Sequence, residues 1–379
     1  MIKKLRIEGD FIKLNEWLTP LSWIYGAAVT LRNWLFDIGV KKSRSFSIPV
    51  ISVGNITVGG SGKTPHVEYL VNLLHDNMKV AVLSRGYKRR SRGYRLAGED
   101  STVAEIGDEA MQMHLRHPDV YVAVDKKRVD GIYHLTHDKQ TKDVDVILLD
   151  DAFQHRYVRP GINILLTDYH RLIIYDRLLP VGRLREPVKG KSRADMVIVT
   201  KCPADLKPME FRVLTKALNL YPYQELFFST FDYKALVPLF PDCKQPERSI
   251  SADDNVLLLT GIASPRQMIL DLKLDSHRLR SLSYPDHHNF SEDDVAEINN
   301  KFHLMPSTKL IITTEKDSVR LLNLDGLSQE VRENIYVQPI KVRFMQPEQE
   351  QTFNDKIISY VRKNSRNSIL AKTESSHKS

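Results

Sequence analysis

Fifteen residues constrain this chain more than any others. They are Ile51-Ser52-Val53-Gly54-Asn55-Ile56-Thr57-Val58-Gly59-Gly60-Ser61-Gly62-Lys63-Thr64-Pro65, an apolar run that enters a glycine-rich turn ending in Gly-Lys-Thr. The glycines of such a turn let backbone N–H groups crowd an anion, the lysine reaches terminal phosphates and the threonine offers a hydroxyl to Mg²⁺. Gly59, Gly60, Ser61, Gly62, Lys63, Thr64 and Pro65 are therefore candidate nucleotide-binding residues, and the expected ligand is a nucleoside triphosphate. The spacing departs from the usual G-x-x-x-x-G-K-[ST], because Thr57 stands five positions before Gly62. Context favours the phosphate reading over a purely structural turn: Pro49 to Val53 reads as a buried strand and Thr64 to His75 as a helix.

The rest of the chain fits an α/β protein. Short β-branched runs at Val80–Leu83, Val144–Leu149, Ile162–Leu166 and Met196–Val199 alternate with helix-length segments, which predicts a parallel sheet with helices on both faces. A second series, Val256–Leu259 and Leu310–Ile312, with helices around Pro265–Leu272 and Ser291–Phe302, predicts a smaller C-terminal α/β domain. Extended segments at Glu225–Leu236 and Ile335–Phe344 read as a two-strand hinge between them. The expected divisions are an interfacial helix region (1–45), a P-loop core (46–224), a hinge (225–250), the smaller domain (251–334), a return strand with a final helix (335–362) and a disordered polar tail (363–379). With 379 residues and 42% hydrophobic content the chain can bury two cores.

A net charge of +8 favours an anionic partner without choosing among phosphorylated substrate, acidic membrane and nucleic acid. Cys202 and Cys243 show no metal-ligand spacing and no disulfide framework. Near the N-terminus, Thr19 as cap and Pro20 in the first turn predict a helix with Leu21, Ile24, Ala28, Leu31 and Leu35 on one face. Trp17, Trp23, Tyr25, Trp34 and Phe36 add interfacial bulk, and Lys3, Lys4, Lys13, Arg32, Lys41, Lys42 and Arg44 add charge. That pattern fits peripheral attachment to a membrane surface. The uncharged run from Trp17 to Leu31 is shorter than the ~20 apolar residues of a span, and no small-residue signal cleavage site precedes the phosphate loop.

Several polar residues carry candidate chemistry. The apolar run at 146–149 ends in Asp150-Asp151, the place from which phosphate-loop proteins hold Mg²⁺ or its waters. Asp108 and Glu109 open a helix, where capping is the ordinary explanation, and Glu109 is a further candidate for the metal shell. His287 and His288 lie in a loop of the second domain, from which an imidazole could meet a carboxylate of the first on closure. Arg85, Tyr87, Gln154, His155 and Arg185 fall in basic loop segments suited to phosphate or substrate, with solvated surface charge as the plain alternative.

Six segments, in order along the chain, resemble the tetraacyldisaccharide 4′-kinase (lipid A 4′-kinase) family: residues 54–65, Leu83-Ser84-Arg85-Gly86-Tyr87, Gly107-Asp108-Glu109-Ala110, Asp150-Asp151-Ala152-Phe153-Gln154-His155, residues 179–187, and Asp286-His287-His288-Asn289-Phe290. The resemblance implies a kinase on the cytoplasmic face of a Gram-negative inner membrane. It would use ATP and Mg²⁺ to phosphorylate the 4′-hydroxyl of an acylated disaccharide 1-phosphate at a membrane surface, and no protein partner is implied. It implies Asp108 as the base paired with His287, His288 remaining an alternative, and Lys63 and Thr64 serving the phosphates and Mg²⁺. Arg185 and Gln154 would then contact substrate or transferring phosphate.

A membrane-associated switch ATPase of the partition type is the competing reading, but such proteins carry lysine where this chain has Val58. A GTPase is unsupported, because Thr200-Lys201-Cys202-Pro203 lacks the base-reading aspartate. No aromatic-interleaved basic stripe supports nucleic-acid binding.

Overall fold

The computed structural model describes residues 14–365 apart from Lys244, Ala263, Ser264, His287 and Asn323. Among the described residues fourteen strands form two sheets: β1 Val50–Gly54, β2 Val80–Ser84, β3 Arg95–Leu96, β4 Tyr121–Val124, β5 Val146–Asp150, β6 Ile162–Asp168, β7 Met196–Thr200, β8 Glu225–Tyr233, β9 Val237–Pro238, β10 Asn255–Thr260, β11 Arg278–Ser283, β12 Lys309–Thr314, β13 Ile335–Gln338 and β14 Ile340–Phe344. The α-helices are α1 Thr19–Asp37, α2 Lys63–Leu74, α3 Val103–Ile106, α4 Asp108–Arg116, α5 Arg128–His137, α6 Pro208–Leu218, α7 Arg266–Asp275, α8 Glu292–His303, α9 Glu315–Leu321, α10 Gln329–Asn334 and α11 Pro347–Asn364.

The large sheet has the order β14-β8-β7-β6-β1-β5-β2-β4-β3, parallel except where β3 and β14 pair antiparallel at the two edges. Its central strands are buried along their whole length, so their β-branched runs are core on both faces. The second sheet runs β11-β10-β12-β13-β9, with only the short β9 antiparallel. Parallel register sends the carboxyl ends of β1 and β5 out together, Val53 beside Asp150, so the phosphate loop and the paired aspartates emerge on the same edge.

The segments expected as a hinge are themselves strands of both sheets. β8 pairs with β7 and β14 in the large sheet, and its continuation β9 pairs with β13 in the small one. Each crossing is a short piece of backbone, residues 234–236 and Pro339. At the far end α11 runs to Asn364, into the stretch expected as tail; residues 366–379 lie outside the described residues, as do Lys3, Lys4 and Lys13.

The N-terminal helix corrects one expectation. Thr19 is its first helical residue rather than its cap: Leu18 holds the cap position, and the Thr19 hydroxyl donates to the Glu16 carbonyl. The face that meets the protein is mostly small and polar, and two of the aromatics expected as interfacial bulk, Tyr25 and Phe36, are turned to it, Phe36 being buried edge-on against Tyr157. Ser22 donates to the Leu178 carbonyl at 3.1 Å, Tyr25 to that of Arg185 at 2.7 Å and Arg32 to that of Gln154 at 3.0 Å. Trp17, Leu21, Trp23, Ile24, Leu31 and Trp34 point the other way and are exposed, Trp17 at 81% and Trp23 at 72%. No helix among the described residues is long and apolar enough to cross a membrane.

Candidate active site

Between β1 and α2 the loop is tied down from behind. Gly62, at φ +83°, caps α2, and a Cβ there would lie 2.9 Å from the Phe231 ring, so both conformation and space require glycine. Lys201 donates to the Gly60 carbonyl while pairing with Asp168 at 2.8 Å, Thr200 Oγ1 donates to the Ser61 carbonyl at 2.9 Å, and His66 Nδ1 donates to the Gly62 carbonyl at 2.7 Å. Burial pushes His66 down to about 4, so its ring stays neutral, and Nε2 accepts from Ser229 Oγ at 2.9 Å. With those carbonyls drawn backward, the positive end of α2 faces the cavity.

Beside the loop, Asp150 and Asp151 take opposite roles. Asp150 is buried, and its Oδ1 has no hydrogen-bond partner among the described residues. Burial, reinforced by the charges of Glu109 and Asp151, pushes it up to about 7. Asp151 turns outward at φ +47°. Burial alone would raise its carboxyl, but Lys63 at 3.6 Å and Arg185 at 3.1 Å hold it below the usual range. One carboxylate thus gathers the two cations that the sequence proposed for phosphate. Gln154 joins them: its Oε1 accepts from Arg185 at 3.3 Å, and its amide donates to the Asn55 carbonyl and to Glu186 at 3.2 Å.

These groups line a cavity of about 640 Å³ between the two sheets. Residues 59–65, Arg85, Tyr87, Glu109, Asp150, Asp151, Gln154 and Arg185 lie on its wall; Asp108 and His155 do not. His155 faces a second cavity, beneath the end of α1, and the structure does not bring it to the phosphate loop. Asp108 is 4% exposed and pairs with Arg320 of α9 at 2.6 Å. Glu109 meets Lys316 at 3.5 Å, and Lys316 meets Asp286 at 3.0 Å. Of the two histidines, His288 is turned to Asp294 at 2.8 Å in the cap of α8, and His287 lies outside the described residues. Phe231, Tyr233, Met268 and Ile340 make a less polar end near the strand crossings.

Sequence reading missed Glu186, Lys201, Lys316 and Arg320. Glu186 is buried and bonded by Arg193 at 2.8 Å, by Gln154 and by Asn33 of α1, so it anchors the helix to the site. Its segment, Arg-Glu-Pro, was legible as a motif, but nothing local marks the glutamate as its anchor. Lys316 and Arg320 carried no signal, since the carboxylates of α4 that they meet, Glu109 and Asp108, lie some two hundred residues earlier.

The residues present fit a divalent cation that takes most of its ligands from phosphate oxygens and water. Among the described residues no group of three or more His, Cys, Asp and Glu is placed to hold a metal unaided. The unpartnered Oδ1 of Asp150 and the hydroxyl of Thr64 on the cavity wall are the suitable donors. Asp151 and Glu109 are already committed to cations.

A nine-stranded, mostly parallel sheet with a glycine loop at one strand end and an acidic pair at its neighbour defines a P-loop nucleotide-dependent enzyme. A family profile described as tetraacyldisaccharide-1-P 4′-kinase matches residues 14–359. The chain is 54% identical to the tetraacyldisaccharide 4′-kinase of Bacteroides thetaiotaomicron, over 98% of this chain and 100% of that one. It is 55% identical to that of Phocaeicola vulgatus, over 96% and 99%. The crystal structure of "apo" LpxK from Aquifex aeolicus in complex with ATP superposes with a TM-score of 0.67 at 29% identity, covering 91% of this chain and 98% of that one. The chain belongs to the tetraacyldisaccharide 4′-kinase family.

Proposed function

We propose that this chain transfers the γ-phosphoryl group of ATP to the 4′-hydroxyl of a tetraacyldisaccharide 1-phosphate, a step of lipid A biosynthesis, through the residues that converge on the cavity between the sheets. The observation that carries the site assignment is the convergence of Lys63 and Arg185 on Asp151, beside the phosphate loop and the buried Asp150.

Phosphoryl transfer asks for positioning and for charge neutralisation. Residues 59–65 cradle the triphosphate, Lys63 neutralises its terminal phosphates, and the less polar end around Phe231 and Met268 receives the base. Thr64 and Asp150 would hold Mg²⁺, which would neutralise phosphate charge. Arg185, released from Asp151 by the incoming phosphate, offers a planar fork to the transferring group, and Gln154 keeps that arginine aimed. As the acceptor oxygen bonds to phosphorus and the bond to ADP breaks, the hydroxyl proton passes to Asp108. Asp108 stands just behind Gly107 and Glu109 of the cavity wall, and a small movement of the first turn of α4 would bring it forward.

The exposed aromatic face of α1 rests on the cytoplasmic face of the inner membrane, so that the acylated substrate is met without leaving the bilayer. The test is ³²P transfer from γ-labelled ATP to tetraacyldisaccharide 1-phosphate in detergent micelles. Lys63→Ala and Asp150→Asn should each lower labelling by at least about 100-fold. Release of free phosphate by the wild type without labelled lipid would refute the proposal.

A further inference from the structure

Three ion pairs tie α4 of the large sheet to α9 of the small one. They are Asp108 with Arg320 at 2.6 Å, Glu109 with Lys316 at 3.5 Å, and Arg116 with Glu315. The first differs from the others in what lies behind it. The Arg320 guanidinium donates to the His288 carbonyl at 2.9 Å and lies 3.5 Å from Asp317. Asp317 is fully buried and accepts from the Gly261 amide at 2.9 Å and from Thr314 Oγ1 at 2.7 Å. Arg320 is therefore fixed within the small sheet before it reaches Asp108.

Asp108 is held at both oxygens. Oδ1 accepts from the Glu109 amide at 3.1 Å, within its own helix turn, and Oδ2 accepts from Arg320. The local contact is available in any arrangement of the chain, whereas the second requires α9 to be seated on α4. A carboxylate bonded only to the next amide of its own helix turn keeps side-chain freedom, and a bond to a rigid guanidinium removes it.

From this geometry we infer that Arg320 is a positioning residue for phosphoryl transfer: it sets the direction of the Asp108 carboxylate from across the gap, so the first turn of α4 brings an oriented acceptor forward only when the small sheet is docked. The inference rests on Asp108 as proton acceptor. The Lys316 and Arg116 pairs keep α4 and α9 together when Arg320 is changed, so positioning is separable from docking.

The experiment is steady-state transfer by the full chain with four variants: Arg320→Ala, Arg320→Lys, Asp108→Asn, and Arg320→Ala combined with Asp108→Asn. Arg320→Ala should lower kcat on the order of 10- to 100-fold with KM for ATP within about twofold, because the phosphate side is untouched. Arg320→Lys should recover part of that loss, and the double variant should be no slower than Asp108→Asn alone. If Arg320→Ala proves unstable, the partial loss in Arg320→Lys, abolished in the Asp108→Asn background, carries the same test. The inference is overturned if Arg320 variants keep wild-type kcat while Asp108→Asn is inactive, or if the two losses multiply in the double variant. A fully active Asp108→Asn would instead remove Asp108 as acceptor, and the inference with it.

Discussion

Glu186 shows how one buried side chain holds separate parts of the site in register. Its two oxygens take Arg193 Nη2 at 2.8 Å each, the Gln154 amide at 3.2 Å and the Asn33 amide at 3.2 Å, so four segments meet on one carboxylate. Arg193 is itself mostly buried and stacks over Phe153, which leaves its charge little access to water. Glu186→Ala would strand that guanidinium, a class of change that costs about 3–5 kcal/mol. Urea unfolding should show a loss of that size, while Glu186→Gln, which keeps an acceptor for Arg193, should lose less. Equal losses for the two variants would mean that charge, rather than the bonding pattern, holds the junction. The phosphate-loop lysine and the aspartate pair were legible because their chemistry is carried by neighbours in sequence. The burial of Glu186 depends on Arg193, Gln154 and Asn33, which only the fold brings together.

At the scale of elements, the contact between α4 and α9 carries an electrostatic penalty beside its ion pairs. Glu315 opens α9, where Arg116 reaches it, yet burial pushes its carboxyl up to about 7; Arg116 opposes that shift and the nearby Glu68 adds to it. The folded protein therefore holds this proton more tightly than the unfolded chain, whose glutamate titrates near 4.5. Stability falls as pH rises between those values, and above about 7 the full penalty is present. Glu315→Gln should accordingly stabilise the protein at pH 8 by about 1–3 kcal/mol and much less at pH 5. Urea midpoints at the two pH values decide it, and a gain independent of pH would show that Glu315 is ionised throughout. Element positions were largely legible from apolar runs: β10, α7, α8 and β12 fall where periodicity puts them. The cap of α1 was misread because the 3₁₀ turn Glu16–Leu18 starts the helical path early and draws Thr19 into the helix. The expected hinge is made of paired strands because extended chain entering a domain presents unpaired backbone, and the nearest partners are the two sheets it connects.

At the scale of the molecule, α1 is the element whose burial reverses the usual rule. Apart from Phe36, the side chains that face the protein are polar or small and bond to the backbone of Leu178, Arg185 and Gln154, while Leu21, Trp23, Ile24, Leu31 and Trp34 face outward. The sequence showed the apolar face but could not show that the opposite face is built onto loops that line the cavity. That attachment puts an exposed apolar ridge beside the cavity mouth, where Tyr25, Val29 and Arg32 are part of the lining. Deleting the helix would therefore damage the site together with any membrane contact, and removal of residues 1–40 could not separate the two. Surface substitutions can. Trp17, Trp23 and Ile24 are 81%, 72% and 68% exposed, so changing all three to serine removes little packing and should leave the melting temperature and ATP binding close to wild type. At about 1.5–3 kcal/mol for each large apolar side chain fully buried in the interface, partial insertion of three should strengthen vesicle binding on the order of 100-fold. Sedimentation with phosphatidylethanolamine–phosphatidylglycerol vesicles should show that loss in the triple variant, and transfer activity should fall with substrate in vesicles while remaining near wild type with substrate in detergent micelles. Unchanged sedimentation would mean that the ridge does not enter the bilayer and that substrate reaches the cavity by another face.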